Sequence, residues 1–306
     1  MNKLNKMDKI VKNTNVIDCQ NATAPVNISK DTITGPCVLK CDYNHKYGNY
    51  TPNITNKKQY LSLNYSGKAN PVKYNNENYN VQEVRIYQPS LHKYNGAKSD
   101  GEIMIIHNGA GKNLIVSVPF IAGSKTDKGS SQLNVLIEEA VSRTPNVDES
   151  VTSSSGDFSL DNFIPNKKGF FAYTGTLAYQ PCNGSYSYVV YNLGDGLNIN
   201  PNILNNLRKI TFSNIVEMRD NSVFFNKKGA NADGLGDSNI YIDCQPVNEE
   251  GQILVQEGST GSSSDGNLEP IDVEKLMPFV YIFIGVGVAY GIVYSAKKLF
   301  KKLKSE

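Results

Sequence analysis

Two neighbouring stretches of the chain, 79–87 and 102–107, alternate their side chains with a period of two residues. In the second stretch Glu102, Met104 and Ile106 alternate with Ile103, Ile105 and His107. This is the period of β-strands, in which successive side chains point to opposite faces of a sheet. In the first stretch the predicted face is Tyr79, Val81, Glu83, Arg85 and Tyr87, which alternate with Asn80, Gln82, Val84 and Ile86.

The rest of the first 248 residues predicts a mainly β domain with short peripheral helices. Further strands are expected at 113–120, 185–191 and 239–243. Asn200 followed by Pro201 is typical of a helix start, with an N-cap residue and proline at the first helical position. An earlier helix has one apolar face, formed by Leu133, Leu136, Ile137, Ala140 and Val141. About 230 residues are enough for one substantial core.

A collinear series of motifs over residues 17 to 248 resembles the α-carbonic anhydrase family. The resemblance implies a central mixed sheet in which 83–96 and 101–107 correspond to the two strands that carry the zinc ligands. No single motif is decisive, and the order of the whole series carries the resemblance. The matching segments are 24–29 (Ala-Pro-Val-Asn-Ile-Ser), 59–65, 83–96, 101–107, 158–165, 171–182, 200–209 and 245–248.

The resemblance places Arg85, Tyr87 and Met104 where the family has its three zinc-binding histidines. An always-protonated guanidinium, a phenol and a thioether are poor ligands for catalytic Zn²⁺. Leu91 and Ala178 stand where a carboxylate and a hydroxyl would orient the zinc-bound hydroxide. The sequence therefore predicts a domain that is not an enzyme and holds no metal or other cofactor.

Two hypotheses describe what fills the vacated metal position. In the first, Arg85 replaces the charge of zinc by pairing with Glu102 or Glu83, and Met104 fills volume. Loss of either partner of such a buried pair would be costly. In the second, the position is an anion-binding cleft, formed by Arg85, Tyr87 and Tyr179.

The five cysteines predict at least one disulfide bond. The family resemblance implies a bridge between Cys19 and Cys182. Cys37, Cys41 and Cys244 remain, an odd number, so one thiol should be free or intermolecular. The spacing Cys37-x-x-x-Cys41-x-x-x-His45 leaves open a metal site or a local disulfide.

The C-terminal part of the sequence predicts a membrane anchor. Residues 276–296 contain no charged residue and are enough to cross a ~30 Å hydrocarbon layer as a helix. Gly287 and Gly291 place small residues on one helix face, which is compatible with a homodimer. The predicted organisation is an N-terminal extension (1–16), an anhydrase-like head (17–248), a flexible acidic stalk (249–275), one transmembrane helix (276–296) and a basic tail (297–306).

The charge pattern predicts a mildly basic head on an acidic stalk. The whole chain has a formal net charge of +2, and the stalk holds seven acidic residues and one lysine. Lysines can meet sulfate groups as point charges on long stems, so an anionic glycan is the expected ligand. Ordinary solvated lysine is the alternative for any one of the candidates, which are Lys57, Lys58, Lys93, Lys98, Lys167, Lys168, Lys227 and Lys228.

The layout resembles that of anhydrase-like cell-surface-binding envelope proteins of poxviruses. Residues 1–12 lack the apolar core of a secretory signal, although disulfides are expected, and cytoplasmic virus assembly would reconcile these two features. The resemblance implies a virion membrane protein with its head outside, which binds a host cell-surface glycan such as a glycosaminoglycan and no nucleic acid. The alternative is a structural virion membrane protein that contacts capsid or other envelope proteins and binds no glycan.

Overall fold

The computed structural model describes residues 14–37, 41–144 and 146–232 of the chain. The strand expected at 239–243, Cys244, the stalk, the anchor and the basic tail lie outside the described residues. The strands are β1 Thr14–Ile17, β2 Asn27–Ile28, β3 Ile33–Pro36, β4 Tyr43–His45, β5 Asn53–Asn56, β6 Leu61–Leu63, β7 Val72–Tyr74, β8 Glu77–Tyr87, β9 Lys93–Tyr94, β10 Ala97–Lys98, β11 Gly101–Asn108, β12 Asn113–Ala122, β13 Ser150–Thr152, β14 Phe170–Gly175, β15 Tyr186–Tyr191, β16 Leu197–Ile199, β17 Ser213–Val216 and β18 Val223–Asn226. The α-helices are α1 Lys128–Arg143 and α2 Pro201–Ile210, and 3₁₀ turns cover Lys30–Thr32, Leu160–Asn162 and Leu193–Asp195.

The main sheet is mixed, as the family resemblance implied. Its strands follow the order β13-β5-β6-β8-β11-β12-β15-β14-β18-β3. Strand β11 pairs antiparallel with β8 on one side and with β12 on the other, and β12 then pairs parallel with β15. The long strands predicted at 79–87, 102–107, 113–120 and 185–191 are therefore neighbours at the centre of this sheet.

The central strands are buried on both faces of the sheet. Ile103 and Ile105 of β11 pack into a first apolar cluster together with Leu133 and Leu136 of α1. Met104 of β11 packs into a second apolar cluster with Tyr87 and Tyr179. Because successive side chains of β11 enter different clusters, the strand is buried on both faces, one against each cluster.

Both predicted helices are present, and each begins at a side-chain cap. The carboxylate of Asp127 accepts a hydrogen bond from the Ser130 backbone N–H at the start of α1. Asn200 accepts from the Asn202 N–H at the start of α2, where Pro201 occupies the first turn. These caps satisfy backbone N–H groups that have no partner within the helix. The predicted N-cap at Asn200 is therefore confirmed.

The predicted alternation over 79–87 is wrong at one point, because a β-bulge interrupts β8. Ile106 of β11 lies opposite Glu83, but His107 lies opposite Val81, which leaves Gln82 as an extra residue. Tyr79 and Val81 consequently face the same apolar cluster as Val84. Glu83, Arg85 and Tyr87 remain together on the other face.

The described sheet structure includes residues before the predicted start of the head. Strand β1 starts at Thr14 and pairs parallel with β17, from Thr14 opposite Ser213 to Ile17 opposite Val216. The last residues of the predicted extension 1–16 therefore belong to a sheet. Among the described residues, none of the helices has the length and apolarity needed to span a bilayer; the predicted anchor at 276–296 is not among them.

Candidate functional site

The two strands predicted to carry the vacated metal site place its residues opposite one another. Met104 of β11 lies directly across from Arg85 of β8, and Glu102 lies across from Tyr87. Antiparallel partners of this kind bring their Cβ atoms to about 5 Å of each other on one sheet face. The register therefore gathers the three predicted ligand positions into a single site, as the resemblance implied.

Arg85 is held by partners from its own strand. Its Nε and Nη2 atoms both donate to Oε2 of Glu83 at 2.8 Å. Its Nη1 atom donates to the hydroxyl oxygen of Tyr87 at 3.2 Å. Ser62 of β6 donates to the other carboxylate oxygen of Glu83 at 2.8 Å, so both oxygens of that carboxylate have partners.

Two aromatic rings pack against the guanidinium of Arg85. Its central carbon lies 4.3 Å from the centre of the Tyr60 ring and 4.1 Å from that of Tyr179. A guanidinium stacked over aromatic faces gains cation–π attraction, which increases when water is excluded. The side chains of Arg85 and Glu83 are only 18% and 26% exposed, so much of this attraction is retained.

The charges at this site balance internally. Burial opposes the charge on Arg85, but Tyr87, Tyr179 and Glu83 outweigh burial and keep its pKa above the ordinary value. Burial raises the pKa of Tyr87 above that of a free phenol, so the ring stays neutral at physiological pH. The site therefore contains one cation and one anion, and it has no excess positive charge for an external anion.

The residues at this site do not fit a zinc ion. Met104 is fully buried in the second apolar cluster, and Arg85 and Tyr87 are engaged with each other. Zn²⁺ sites are built from imidazole, thiolate and carboxylate ligands, usually four in tetrahedral arrangement. Nowhere in residues 14–37, 41–144 and 146–232 do three or more His, Cys, Asp or Glu side chains come together in a group that could hold a metal.

The predicted relay positions are apolar and buried. Leu91 and Ala178 are both 0% exposed within the second apolar cluster. The backbone N–H of Ala178 donates to the Tyr188 hydroxyl at 3.1 Å, and this hydroxyl donates to the Thr176 carbonyl oxygen at 2.7 Å. The only polar groups at these two positions are thus those of the backbone.

Glu102 belongs to a separate buried network, so its predicted pairing with Arg85 is not realised. Its carboxylate accepts from the backbone N–H groups of Leu91 and His92 at 2.7 and 3.1 Å, from Nδ1 of His92 at 2.5 Å and from the Ser117 hydroxyl. Burial opposes ionisation of Glu102, but His92 and Ser117 outweigh burial and lower its pKa. The first hypothesis allowed either Glu102 or Glu83 as the partner of Arg85. The structure shows that the partner is Glu83.

A second chain of hydrogen bonds lies on the other side of the sheet, and the residue pattern did not predict it. The Tyr47 hydroxyl lies 2.9 Å from Nε2 of His107, and Nδ1 of His107 lies 3.2 Å from the Leu114 carbonyl oxygen. Burial lowers the pKa of His107 to about 3, so the ring is neutral. Its Nδ1–H then donates to Leu114 and its Nε2 accepts from Tyr47.

The cysteines form two disulfide bonds within the described residues. Cys19 is bonded to Cys182, as the resemblance implied, and the bridge spans 163 residues. Cys37 is bonded to Cys41, which decides between a local disulfide and a metal site. His45, the third residue of that spacing, instead pairs with Asp161 at 2.7 Å.

Among four of the candidate lysines, Lys58 and Lys98 contact the segment 212–214. Lys57 pairs with Asp148 at 2.9 Å, and the Nζ of Lys58 lies 4.6 Å from the centre of the Phe212 ring. Lys93 and Lys98 lie opposite each other in the β9–β10 pair. Lys98 donates to the Asn214 carbonyl oxygen at 2.8 Å, and burial lowers its pKa to about 8.

The other four candidate lysines come together from segments 60 residues apart in the chain. Strands β14 and β18 pair antiparallel with Phe170 opposite Asn226, so the residues before β14 lie beside those after β18. A Cβ atom at Gly229 would lie 2.5 Å from the Lys168 carbonyl oxygen, which shows how closely the two backbones approach. The pairs Lys167–Lys168 and Lys227–Lys228 therefore form one exposed basic surface.

Comparison with known proteins supports the fold. No family model matches the chain. Dioscorin DB3S from Dioscorea polystachya is 24% identical over 129 residues, which is 42% of this chain and 46% of dioscorin. The match thus spans less than half of that relative's length.

Solved structures with this architecture cover most of their own chains. A crystal structure of dioscorin complexed with ascorbate has a TM-score of 0.57 at 18% identity, covering 68% of this chain and 87% of dioscorin. The α-carbonic anhydrase of Photobacterium profundum has a TM-score of 0.57 at 14% identity, covering 67% of this chain and 89% of the enzyme. That of Thermovibrio ammonificans has a TM-score of 0.55 at 15% identity, covering 68% and 88%. The described residues therefore have a carbonic anhydrase-like fold.

Proposed function

We propose that this protein is a non-catalytic carbonic anhydrase-like head that attaches a virion membrane to host cells by binding an anionic glycan. The observation that carries the non-catalytic part is the position of Arg85. Its guanidinium stands at a metal-ligand position of the fold and is fully engaged by Glu83, Tyr87 and two tyrosine rings. A site organised around its own cation is unsuited to hold a second one.

Glycan binding is supported by the arrangement of the lysines. The pairs at 167–168 and 227–228 were separate in the sequence and lie side by side in the fold. Several exposed ammonium groups on one surface raise the local concentration of polyanions and speed their association. Dioscorin, which has this fold, has been crystallised with ascorbate, so the scaffold has a precedent for accepting a small oxygen-rich ligand.

Membrane display is supported by the sequence alone. The uncharged run at 276–296 is preceded by an acidic stalk and followed by five lysines in the last ten residues. Such a basic flank binds anionic lipid headgroups. The single-pass anchor, the virion location and a homodimer through Gly287 and Gly291 are parts of this proposal.

The test is retention of the full-length, detergent-solubilised protein on immobilised heparin, followed by elution in a salt gradient. Binding through lysine should weaken as ionic strength rises, because salt screens exposed charges. Elution below about 0.5 M NaCl, with no CO₂ hydration and no bound zinc in the same preparation, would support the proposal. Flow-through at low salt would contradict glycan binding, and CO₂ turnover would contradict the inactive state.

One observation favours the alternative, a structural virion membrane protein without glycan binding. Val16 of β1 and Ile215 of β17 lie opposite each other and are 68% and 52% exposed. An exposed apolar pair on a small sheet is typical of a protein contact. If heparin binding fails and Val16→Ser/Ile215→Ser reduces co-purification with other virion proteins, the structural role is the better explanation.

A further inference from the structure

A half-open cavity of about 750 Å³ lies on the face of the sheet that carries α1. Phe163, Ile164 and Leu197 line it and belong to the first apolar cluster. Arg85 and its partners lie with the second apolar cluster, on the opposite face. The cavity is therefore distinct from the vacated metal site. We call it the lysine pocket, because Lys46, Lys125, Lys128 and Lys168 line it.

Lys46, Lys125 and Lys128 were not among the candidate glycan-binding lysines that the sequence predicted. Lys46 follows β4, Lys125 and Lys128 flank the N-cap of α1, and Lys168 precedes β14. All four are exposed at the pocket and come from three separate segments of the chain. Because the fold brings them to one cavity, their positive charge is concentrated there, where the sequence shows only scattered residues.

The carboxylates at the lysine pocket leave a small positive excess, because three aspartates, Asp127, Asp161 and Asp195, face four lysines. Asp127 lies 3.4 Å from Lys125, and Asp195 lies 3.4 Å from Lys168. Within the described part of the chain, Lys46 and Lys128 have no ion pair, so these two ammonium groups can meet an external anion.

The third carboxylate, Asp161, is occupied by the protein itself. It accepts from Nδ1 of His45 at 2.7 Å and from the backbone N–H groups of Tyr47 and Gly48 at 3.0 and 3.1 Å. These hydrogen bonds outweigh partial burial and lower the pKa of Asp161 to about 2. The carboxylate therefore holds the pocket wall together and faces three donors of the protein.

The N-terminus of α1 reaches the pocket but adds no ligand site. The Asp127 carboxylate already accepts from the backbone N–H and the hydroxyl of Ser130. A ligand in the pocket would consequently meet the lysine side chains. The lysines, and the volume that they surround, must carry any recognition.

We propose that the lysine pocket is the subsite that takes a sulfate-bearing segment of the glycan, an inference that rests on the proposed function. A volume of about 750 Å³ is within the range of sites for small molecules, and it has room for one or two acidic saccharide units. Lysine stems are long and flexible, so they suit sulfate and carboxylate groups spaced along a sugar chain. Lys167, Lys227 and Lys228 would extend the basic surface along which that chain continues.

The experiment measures binding of a heparin-derived tetrasaccharide to the full-length protein in detergent by isothermal titration calorimetry. The pocket variant is Lys46→Ala/Lys128→Ala, which removes the two unpaired ammonium groups. The matched control is Lys30→Ala/Lys209→Ala, which removes the same charge from two exposed lysines that do not line the pocket. Because each lost charged contact is worth about a factor of ten, the pocket variant should raise the Kd at least about tenfold, with the control within about twofold.

The salt dependence gives a second readout. The slope of log Kd against log salt concentration should fall by about one to two in the pocket variant, because fewer counterions are released per ligand. Equal weakening in both variants would overturn the proposal, since only total charge would then matter. An unchanged pocket variant would also overturn it, while continued retention on heparin would leave the proposed function intact. If the wild-type protein itself is not retained on heparin, the proposed function fails as well.

Discussion

Arg85 and Glu83 lie two residues apart on the same face of β8, and the carboxylate of Glu83 accepts from both Nε and Nη2 of Arg85 at 2.8 Å. Residues i and i+2 of a strand share a face, so this pair is set by the backbone alone. The same face carries Tyr87, which completes the contacts of the guanidinium. The strand thus supplies the cation, its counter-ion and a hydrogen-bond acceptor at the position where the family resemblance implied a metal ligand.

The Arg85→Ala variant should be clearly less stable than wild type. It leaves the largely buried Glu83 carboxylate without its cation and opens a space between the Tyr60 and Tyr179 rings. We expect a loss of about 2–3 kcal/mol in the free energy of unfolding, measured by urea denaturation. Lys58→Ala is the control, because it removes an exposed cation from the Phe212 ring and should cost less than about 0.5 kcal/mol. An Arg85→Ala protein that unfolds at the wild-type urea concentration would contradict a stabilising role for the contacts of Arg85.

Glu102 offers a comparison between a buried and an exposed carboxylate. Glu102→Gln removes the charge that four donors surround, and it should cost about 3 kcal/mol. Glu77→Gln removes a similar contact to Lys112, at 2.9 Å, where the side chains are 44% and 62% exposed, and it should cost less than about 1 kcal/mol. Thermal unfolding monitored by circular dichroism would measure both. Similar losses in the two variants would show that burial does not strengthen the Glu102 network.

The stability of the domain should depend on His107 between pH 7 and pH 5. Burial lowers the pKa of His107 to about 3, whereas an unfolded histidine has a pKa of about 6.5. Between these two pKa values the unfolded chain binds a proton at His107 and the folded domain does not. The contribution of His107 to the free energy of unfolding is therefore fully present above about pH 6.5 and is lost as the pH falls toward 3.

The His107→Gln variant tests this dependence. Between pH 7 and pH 5 the free energy of unfolding of wild type should fall by about 2 kcal/mol more than that of the variant. Urea denaturation at pH 7, 6 and 5 would measure the difference, since the variant keeps an amide that can donate to Leu114 but does not titrate. Parallel pH profiles for the two proteins would mean that His107 titrates normally in the folded state.

The two disulfides should differ in their contribution to stability. Cys19–Cys182 spans 163 residues and Cys37–Cys41 spans 4. In the chain-entropy model, a disulfide that closes a longer loop restricts the unfolded chain more. Removal of Cys19–Cys182 should therefore lower the free energy of unfolding by about 5 kcal/mol, and removal of Cys37–Cys41 by about 2 kcal/mol. The Cys19→Ser/Cys182→Ser and Cys37→Ser/Cys41→Ser double variants can be compared by urea denaturation. A larger loss in the second variant would reverse the expected order.

The fold was predictable where long buried strands and capped helices leave a clear periodicity. The strands β8, β11, β12 and β15 and the start of α2 at Asn200 were all expected from the sequence. The bulge at Gln82 was not, because glutamine carries no signal for an extra residue in a strand. Its effect is to turn Tyr79 and Val81 to the other face, which only the pairing with β11 determines.

The candidate site was predictable in its members but not in its partners. Alternation placed both Glu83 and Glu102 within reach of Arg85, and the sequence could not choose between them. The choice depends on His92 and Ser117, which surround Glu102 through contacts across two strands and a loop. The lysine pocket was missed for a related reason. Adjacent lysine pairs are visible in a sequence, whereas Lys46 and Lys128 come together only through the fold.

The packing of Arg85 against two rings makes a metal-binding substitution at this position costly. A single change of Arg85 to histidine would give one imidazole with no companion ligands, leave Glu83 without its cation and expose the Tyr60 and Tyr179 faces. Such a change would therefore weaken the domain before a metal ion could be held. Substitutions of exposed residues carry no such cost, so the interior position constrains the sequence more tightly than the outer surface does.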